Sequence, residues 1–186
     1  MADIHFDFSQ AGTRKQILGS LVGMMPSDQY RKLVGVVVGD NSIRMEEHLH
    51  DIAAVEAAID RTVATDYAKS HAKAIYHILA EAEAQVHGCA VEETHFHEVG
   101  KGMTVREILG VCRAVELLEP EKITATAVQV GSGQVECAHG VLDIPAPATK
   151  AILDKYQIPI AEEKLDGELC TPTSAAVIAH YVDMFV

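Results

Sequence analysis

The stretch AKSHAKAIYHILAEAEAQVHG, residues 68–88, is the clearest helix in the sequence. Apolar side chains recur along it at alternating spacings of four and three residues, which places them on one stripe of a helix: Ala68, Ala72, Ile75, Leu79, Ala82 and Val86. Gly88 stands where a left-handed residue commonly ends a helix. The pattern therefore predicts a long helix that buries one face and ends at Gly88.

Further elements are predicted on both sides of this helix. Before it, they are a strand over residues 4–8, a helix around residues 17–22, a second helix from Ser27, a strand at residues 36–38 and a helix over residues 43–63. After it, they are a helix opened by a capping box at residues 104–107, two strands over residues 123–130 and 134–138 joined by a hairpin turn, a helix starting at Pro147 and a last helix from Pro172 to about Val186.

This order of elements predicts an α+β fold, a helix-rich domain with a small mostly antiparallel sheet that carries the histidine-containing segment 95–100. The length of 186 residues suits a single domain over residues 1–186.

Composition argues against several classes of function. The net charge of −12 disfavours a nucleic-acid partner, which needs clustered Lys and Arg, and is compatible with attracting a cation. No segment reaches the roughly 18 apolar residues of a membrane span. The first residues lack the basic and apolar parts of a secretory signal. Four cysteines without a CxxC pair predict reduced thiols in a cytoplasmic protein.

The segment HFHEVG, residues 95–100, carries the strongest chemical signal. In an extended strand, side chains two residues apart point to the same face, so His95 and His97 could present two imidazoles to one metal ion while Phe96 enters the core. On a helix the two rings would diverge. The spacing predicts a metal or acid-base site only if the segment is extended. The alternative is a pair of histidines on a half-exposed strand.

Two further histidine motifs are weaker. His48 and His50 fall inside the helix predicted over residues 43–63, where their rings would point apart, so a solvated polar face is the main alternative to a shared ligand role. Cys137 and His139 would share one face of a strand and suit a soft metal. A small buried cysteine beside a hydrogen-bonded histidine explains that pair equally.

Two segments could bind an anion. Gly131, Ser132 and Gly133 could bring backbone N–H groups close to a phosphate, although the same residues make an ordinary hairpin turn. The segment Thr171-Pro172-Thr173-Ser174 places three hydroxyls at a helix N-terminus, which favours anions, whereas simple capping needs only one hydroxyl.

Three motifs occur together and in order: HFHEVG at residues 95–100, GSGQVECAHGVLDIPAPAT at residues 131–149 and ELCTPTSAA at residues 168–176. This combination resembles the LarC family, nickel-inserting proteins that complete the nickel-pincer cofactor of lactate racemase. The segment AEAQVHG, residues 82–88, matches the same family. Residues 64–186 are the strongly matching part, and residues 1–63 are divergent.

The resemblance implies insertion of nickel into a pyridinium bisthiocarboxylate mononucleotide, with formation of carbon–nickel and sulfur–nickel bonds and use of CTP. Chemistry placed on the matching positions makes His95, His97 and His139 the candidate metal ligands, and His97 and Glu98 the candidate catalytic residues. The candidates for binding the phosphorylated small-molecule substrate are Gly131, Ser132, Gly133, Thr171, Pro172 and Thr173. Nickel is the expected metal, and another divalent ion stays open.

The chain departs from the family pattern at two places. Residues 12–16 read GTRKQ where the family usually has Gly-Ile-Ser-Gly-Asp-Met, so that Lys15 reverses an expected acidic charge. Residues 101–103 read KGM in place of Ala-Val-Asp. Lost carboxylates should weaken hard-ion binding or general-base chemistry. The resemblance extends to about the end of the family's amino-terminal portion, so a separate carboxy-terminal subunit is expected to supply CTP-dependent chemistry.

Three hypotheses result. The favoured one is a lyase-type nickel chelatase component in nickel-pincer cofactor biosynthesis, with enzymatic activity of this chain left open. The second is a non-catalytic metal-binding module or scaffold for a nickel-carrying subunit, which the altered Lys15 and Lys101 positions favour. The third is a hydrolase or transferase that uses His97 and Glu98 on a phosphorylated substrate. Self-association stays open.

Overall fold

The computed structural model describes residues 3–10, 13–37, 39–137 and 140–186. His139 lies outside these residues, as does the side chain of Lys15. The chain divides into two compact units, which we name the helical unit (residues 18–119) and the mixed unit (residues 1–17 and 120–186). Helix α1, Thr13–Gly23, begins in the mixed unit and ends in the helical unit.

The helical unit is built around one long helix. Its elements are α2 (Ser27–Val37), α3 (Ile52–Arg61), α4 (Asp66–His87), a 3₁₀ turn (Val91–Glu93) and α5 (Gly102–Leu118). Helix α4 packs against α3, α5 and the 3₁₀ turn, and α2 packs against α5. The apolar stripe of α4 is buried from Ala68 through Ala82, and Val86 in the last turn is 41% exposed. Gly88 has a φ of 66°, as the sequence predicts.

The helix predicted over residues 43–63 is wrong in its first half. Asp51 has extended backbone, and its carboxylate accepts a hydrogen bond of 2.7 Å from the N–H of Ala54. This N-cap fixes the start of α3 at Ile52 and leaves residues 43–51 outside any helix. The strand predicted at residues 36–38 is also wrong, because residues 36 and 37 complete α2.

Helix α5 starts earlier than its sequence indicates. The predicted capping box at residues 104–107 is wrong, because Gly102 is already helical and Thr104 is buried within the first turn. The N–H groups of Gly102 and Met103 donate instead to the carbonyls of Glu47 and Met45, at 2.7 and 3.1 Å. Main-chain carbonyls from a distant segment therefore satisfy donors that a side-chain cap usually takes.

The mixed unit contains three small sheets among its described residues. A parallel sheet has the order β1 (Ile4–Phe6), β2 (Ile123–Ala125) and β7 (Met184–Phe185). Strands β3 (Gly131–Ser132) and β6 (Gly167–Glu168) form an antiparallel pair, as do β4 (Gln134–Cys137) and β5 (Gly140–Asp143). Helices α6 (Pro147–Lys155) and α7 (Pro172–Tyr181) pack against each other.

The α+β class with many helices and small sheets is confirmed. Three details differ from the sequence prediction. Residues 131–133 do not close a hairpin between residues 123–130 and 134–138, because Gly131 pairs with β6, and there a Cβ atom would lie 1.8 Å from the carbonyl of Gly167. The last helix ends at Tyr181 because residues 183–186 bond to β2. The segment 95–100 belongs to none of the described strands. Among the described residues, no helix has the length and apolar character needed to cross a membrane.

Candidate functional site

Residues 94–100 follow α4 and the 3₁₀ turn. We name them the second histidine segment, because a first one, residues 47–50, precedes them in the chain. Its burial alternates as predicted: His95 and His97 are exposed, whereas Phe96 is 1% exposed. Phe96 lies against Tyr76 of α4 with ring centroids 5.8 Å apart. The buried Tyr76 hydroxyl donates a hydrogen bond of 2.8 Å to the carbonyl of Val99, so α4 fixes both the middle and the end of the segment.

The first histidine segment, residues 47–50, lies alongside the second in extended backbone. The N–H of Phe96 donates to the carbonyl of His50 at 2.7 Å, and the N–H of Leu49 donates to the carbonyl of Gly100 at 2.8 Å. An isolated antiparallel bridge joins His48 to Lys101. Leu49 is buried between its two exposed histidine neighbours, in the same alternation as Phe96. The two HxH motifs, whose corresponding histidines are 47 residues apart in sequence, therefore meet in one place.

Two glycines allow this close approach. A Cβ atom on Gly100 would lie 2.0 Å from the carbonyl oxygen of Leu49, and one on Gly102 would lie 1.9 Å from that of Arg44. Both distances are far below van der Waals contact, and both neighbours are backbone atoms that cannot rotate away. Gly100 is therefore a requirement of the pairing between the two histidine segments, and Gly102 is a requirement of the approach of Arg44 to the start of α5.

The imidazoles of the first histidine segment meet at their edges. The Nδ1 atoms of His48 and His50 are 3.1 Å apart. The Nε2 atom of His48 lies 2.7 Å from the carbonyl oxygen of His97. Since a carbonyl can only accept, His48 donates from Nε2, and its neutral form carries the lone pair on Nδ1. The sequence argument that these two rings diverge is wrong, because the segment is extended rather than helical.

A partly buried carboxylate lies near the second histidine segment. Burial raises the pKa of Glu83, on α4, and the neighbouring His87 and His97 oppose that shift. The Glu83 carboxylate is 14% exposed and lies 3.5 Å from Nε2 of His87. A carboxyl group with a raised pKa beside imidazoles is a candidate for proton transfer. Sequence reasoning did not single out Glu83, because its burial depends on the packing of α4.

Glu98, one of the two predicted catalytic residues, forms an ion pair. Its Oε2 atom lies 2.5 Å from Nζ of Lys101, and both side chains are about half exposed. Lys101 is one of the residues at which the chain departs from the family pattern. Its ammonium group lies against the carboxylate and reduces the attraction of that carboxylate for a cation.

The predicted anion-binding residues lie in the mixed unit. The Thr171 hydroxyl accepts from the N–H of Ser174 at 3.3 Å, so it caps α7 with Pro172 in the first turn. The Ser132 hydroxyl donates to the carbonyl of Leu165 at 3.0 Å. These contacts account for both hydroxyls structurally. Substrate binding by Gly131, Ser132, Gly133, Thr171, Pro172 and Thr173 stays a prediction.

The predicted ligand set His95, His97 and His139 also stays a prediction, since His139 lies outside the described residues. Within the described ranges, no group of three or more His, Cys, Asp or Glu side chains is arranged to hold a metal ion. Within the described residues, two ring nitrogens instead lie 3.1 Å apart at His48 and His50. The alternation of His48 and His50 around apolar Leu49, followed by the capping residue Asp51, is the sequence signal that could have identified this pair.

Comparison with known proteins assigns the family. The family model described as "Nickel insertion protein" matches residues 9–186. A putative nickel insertion protein of Dictyoglomus thermophilum is 38% identical over 146 residues, which cover 78% of this chain and 36% of that protein. A pyridinium-3,5-bisthiocarboxylic acid mononucleotide nickel insertion protein of Clostridium kluyveri is 37% identical over 159 residues, or 82% of this chain and 39% of that protein.

A third relative, a putative nickel insertion protein of Roseiflexus castenholzii, is 40% identical over 152 residues, covering 80% of this chain and 38% of that protein. The chain thus spans well under half the length of these three relatives. No solved structure matches. The match over nearly the whole length shows that this chain belongs to the nickel insertion protein family.

Proposed function

We propose that the chain takes part in inserting nickel into pyridinium-3,5-bisthiocarboxylic acid mononucleotide, the activity named for its relatives in Clostridium kluyveri and Desulfitobacterium hafniense. The observation that carries this proposal is the pairing of the two histidine segments. It places His48, His50 and the main chain of His97 together on an exposed surface. Imidazole nitrogens are ligands that suit Ni²⁺, which here is a substrate.

The chemistry requires a proton acceptor. A carbon–nickel bond at a ring carbon that carries hydrogen forms as the carbon–hydrogen bond breaks, so that one proton must leave as Ni²⁺ enters. In our proposal His97 accepts this proton, and the nearby Glu83 carboxyl stabilises the imidazolium that results. Glu98 is the second candidate base, and its carboxylate is held in an ion pair with Lys101.

In our proposal this chain does not carry out the whole reaction, and CTP use belongs to another part of the protein or to a partner. Because the chain covers well under half of three relatives, we assign CTP use to a carboxy-terminal portion, as a separate subunit or a continuation. The residues proposed to contact the phosphorylated substrate are Gly131, Ser132, Gly133, Thr171, Pro172 and Thr173. A cytoplasmic location goes with this proposal.

The experiment combines the purified chain with the carboxy-terminal portion of the Clostridium kluyveri relative, the mononucleotide, NiCl₂ and CTP. Mass spectrometry follows the nickel-containing product. We expect product only when both proteins are present, and a large loss for the double variant His95→Ala, His97→Ala. His77→Gln is the matched control, since His77 is an exposed histidine of α4 that pairs with Glu56. Equal product without this chain would contradict the proposal.

One observation favours a second candidate, a non-catalytic module that binds metal for a partner. The Lys101 ammonium forms an ion pair with Glu98, one of the two predicted catalytic groups. This candidate expects Ni²⁺ binding by the chain and no dependence of product formation on His97. A His97→Gln variant that forms product at the rate of the parent chain would select it over the catalytic proposal.

A further inference from the structure

We propose that His48 and His50 form a two-imidazole receiving site for Ni²⁺, in which both Nδ1 atoms bind the ion and the second histidine segment orients one of the rings. This inference rests on the proposed function, because it names where the nickel substrate first binds. It differs from the ligand set His95, His97 and His139 that the family resemblance suggests.

The separation of the two nitrogens fits one ion. Imidazole nitrogens bind divalent transition metals at about 2.0–2.1 Å, so two nitrogens 3.1 Å apart subtend about 95–102° at a shared ion. That angle lies between the right angle of square-planar or octahedral ligands and the tetrahedral angle. The ring centroids are 4.5 Å apart, which is farther than the nitrogens. The two Nδ1 atoms therefore lie on the facing edges of the rings.

The protonation state of His48 is also suitable. Its Nε2 atom donates to the carbonyl of His97 at 2.7 Å, which leaves Nδ1 as the nitrogen with the lone pair. Metal-binding histidines commonly donate their other ring N–H to a carbonyl or carboxylate, which fixes the tautomer and the ring orientation. The His97 carbonyl thus has the position of an outer-shell partner for His48.

The backbone under both rings is held on either side. Leu49 is 6% exposed, its N–H bonds to Gly100, and the carbonyl of His50 accepts from Phe96. Asp51, the next residue, caps α3. Because these contacts hold the backbone of both histidines, metal binding needs to order little more than the two exposed imidazole side chains.

The site leaves coordination positions open. In the described part of the chain no third His, Cys, Asp or Glu completes a metal-binding group, so water or the sulfur donors of the mononucleotide would occupy the remaining positions. A site with two protein ligands holds a metal ion less tightly than a structural site in which four protein ligands complete the coordination. A site of this kind suits an ion that is received and then transferred.

In the competing explanation, the 3.1 Å contact is only a hydrogen bond, with the Nδ1–H of His50 donating to Nδ1 of His48. The two explanations differ in what a metal does. In a receiving site the proton of His50 moves from Nδ1 to Nε2, which frees the second Nδ1 lone pair for Ni²⁺, so binding needs both rings. If the pair is only hydrogen-bonded and has no metal affinity, replacing His50 leaves the Ni²⁺ affinity of the chain unchanged.

The test is titration of the 186-residue chain with NiCl₂ alone at pH 7.5, measured by calorimetry and by competition with a chromogenic chelator. We expect one Ni²⁺ per chain, and binding at least about tenfold weaker in His50→Gln and in His48→Gln, since even outer-shell losses cost 10–100-fold. His77→Gln should stay within about twofold of the parent chain. Circular dichroism of each variant checks folding.

A second measurement identifies the atoms. With diamagnetic Zn²⁺ as the probe, long-range ¹H–¹⁵N spectra should show the Nδ1 signals of His48 and His50 shifting together, with Nε2 of His48 still protonated. Unchanged Ni²⁺ affinity in a folded His50→Gln variant, or Zn²⁺ shifts confined to His95 and His97, would overturn the inference. Loss of Ni²⁺ binding in His50→Gln while the parent chain supports no nickel insertion would instead refute only the proposed function.

Discussion

Replacing Gly100 by alanine tests the pairing on which the candidate site depends. The added Cβ would lie 2.0 Å from the carbonyl oxygen of Leu49 and 2.9 Å from Cβ of Phe96. The two histidine segments must separate, because a backbone carbonyl cannot move aside as a flexible side chain can. Separation lengthens the hydrogen bond between Leu49 N–H and the Gly100 carbonyl, and the adjacent one between Phe96 N–H and the His50 carbonyl.

The expected cost follows from these contacts. Forcing an extra carbon into a packed region costs about 1–3 kcal/mol, and each weakened backbone hydrogen bond about 1 kcal/mol. Gly100→Ala should therefore lower the free energy of unfolding by about 3–5 kcal/mol, a large share of the 5–15 kcal/mol typical of a domain.

Urea unfolding followed by far-ultraviolet circular dichroism measures this difference. The matched control is Gly35→Ala, since Gly35 lies inside α2 with no atom within 4 Å of an added Cβ. There alanine should raise the free energy of unfolding by about 0.5–1 kcal/mol. A Gly100→Ala variant within 1 kcal/mol of the parent chain would refute the close pairing of the two segments.

Three further predictions concern single side chains. Burial works to raise the pKa of Asp40, but hydrogen bonds from Ser42 and from the N–H of Val63 outweigh it and leave that pKa lowered. The stabilisation by the Asp40 carboxylate is therefore present above about pH 4 and is lost as pH falls through the folded pKa. Asp40→Asn should lower the free energy of unfolding by about 1–2 kcal/mol at pH 7 and flatten the acid side of a stability-versus-pH curve. Tyr76→Phe should cost about 1–2 kcal/mol in thermal unfolding and speed amide hydrogen exchange of Phe96, because a buried carbonyl loses its donor. Lys101→Ala should change the free energy of unfolding by less than about 1 kcal/mol, because its ion pair with Glu98 is exposed. Ni²⁺ titration of the same variant should show tighter binding, and weaker binding would contradict the view that the Lys101 ammonium opposes a cation near Glu98.

The sequence alone determined the features that depend on local periodicity. The stripe of α4, its end at Gly88 and the burial of Phe96 between two exposed histidines all follow from side-chain spacing along a helix or an extended segment. The family also followed from sequence, because three motifs in a fixed order are far more specific than any one of them.

Only the tertiary structure decided which segments meet. Carbonyls of residues 45 and 47 satisfy the first N–H groups of α5, and the parallel sheet joins β1 to β2 across more than a hundred residues. The same long-range pairing holds residues 48–50 against residues 96–101 and outside any helix, although the composition of residues 43–63 favours a helix. Local propensity amounts to a few tenths of a kcal/mol per residue, so hydrogen bonds and burial supplied by a distant segment outweigh it. His48 and His50 therefore face each other because of the chain that lies beside them.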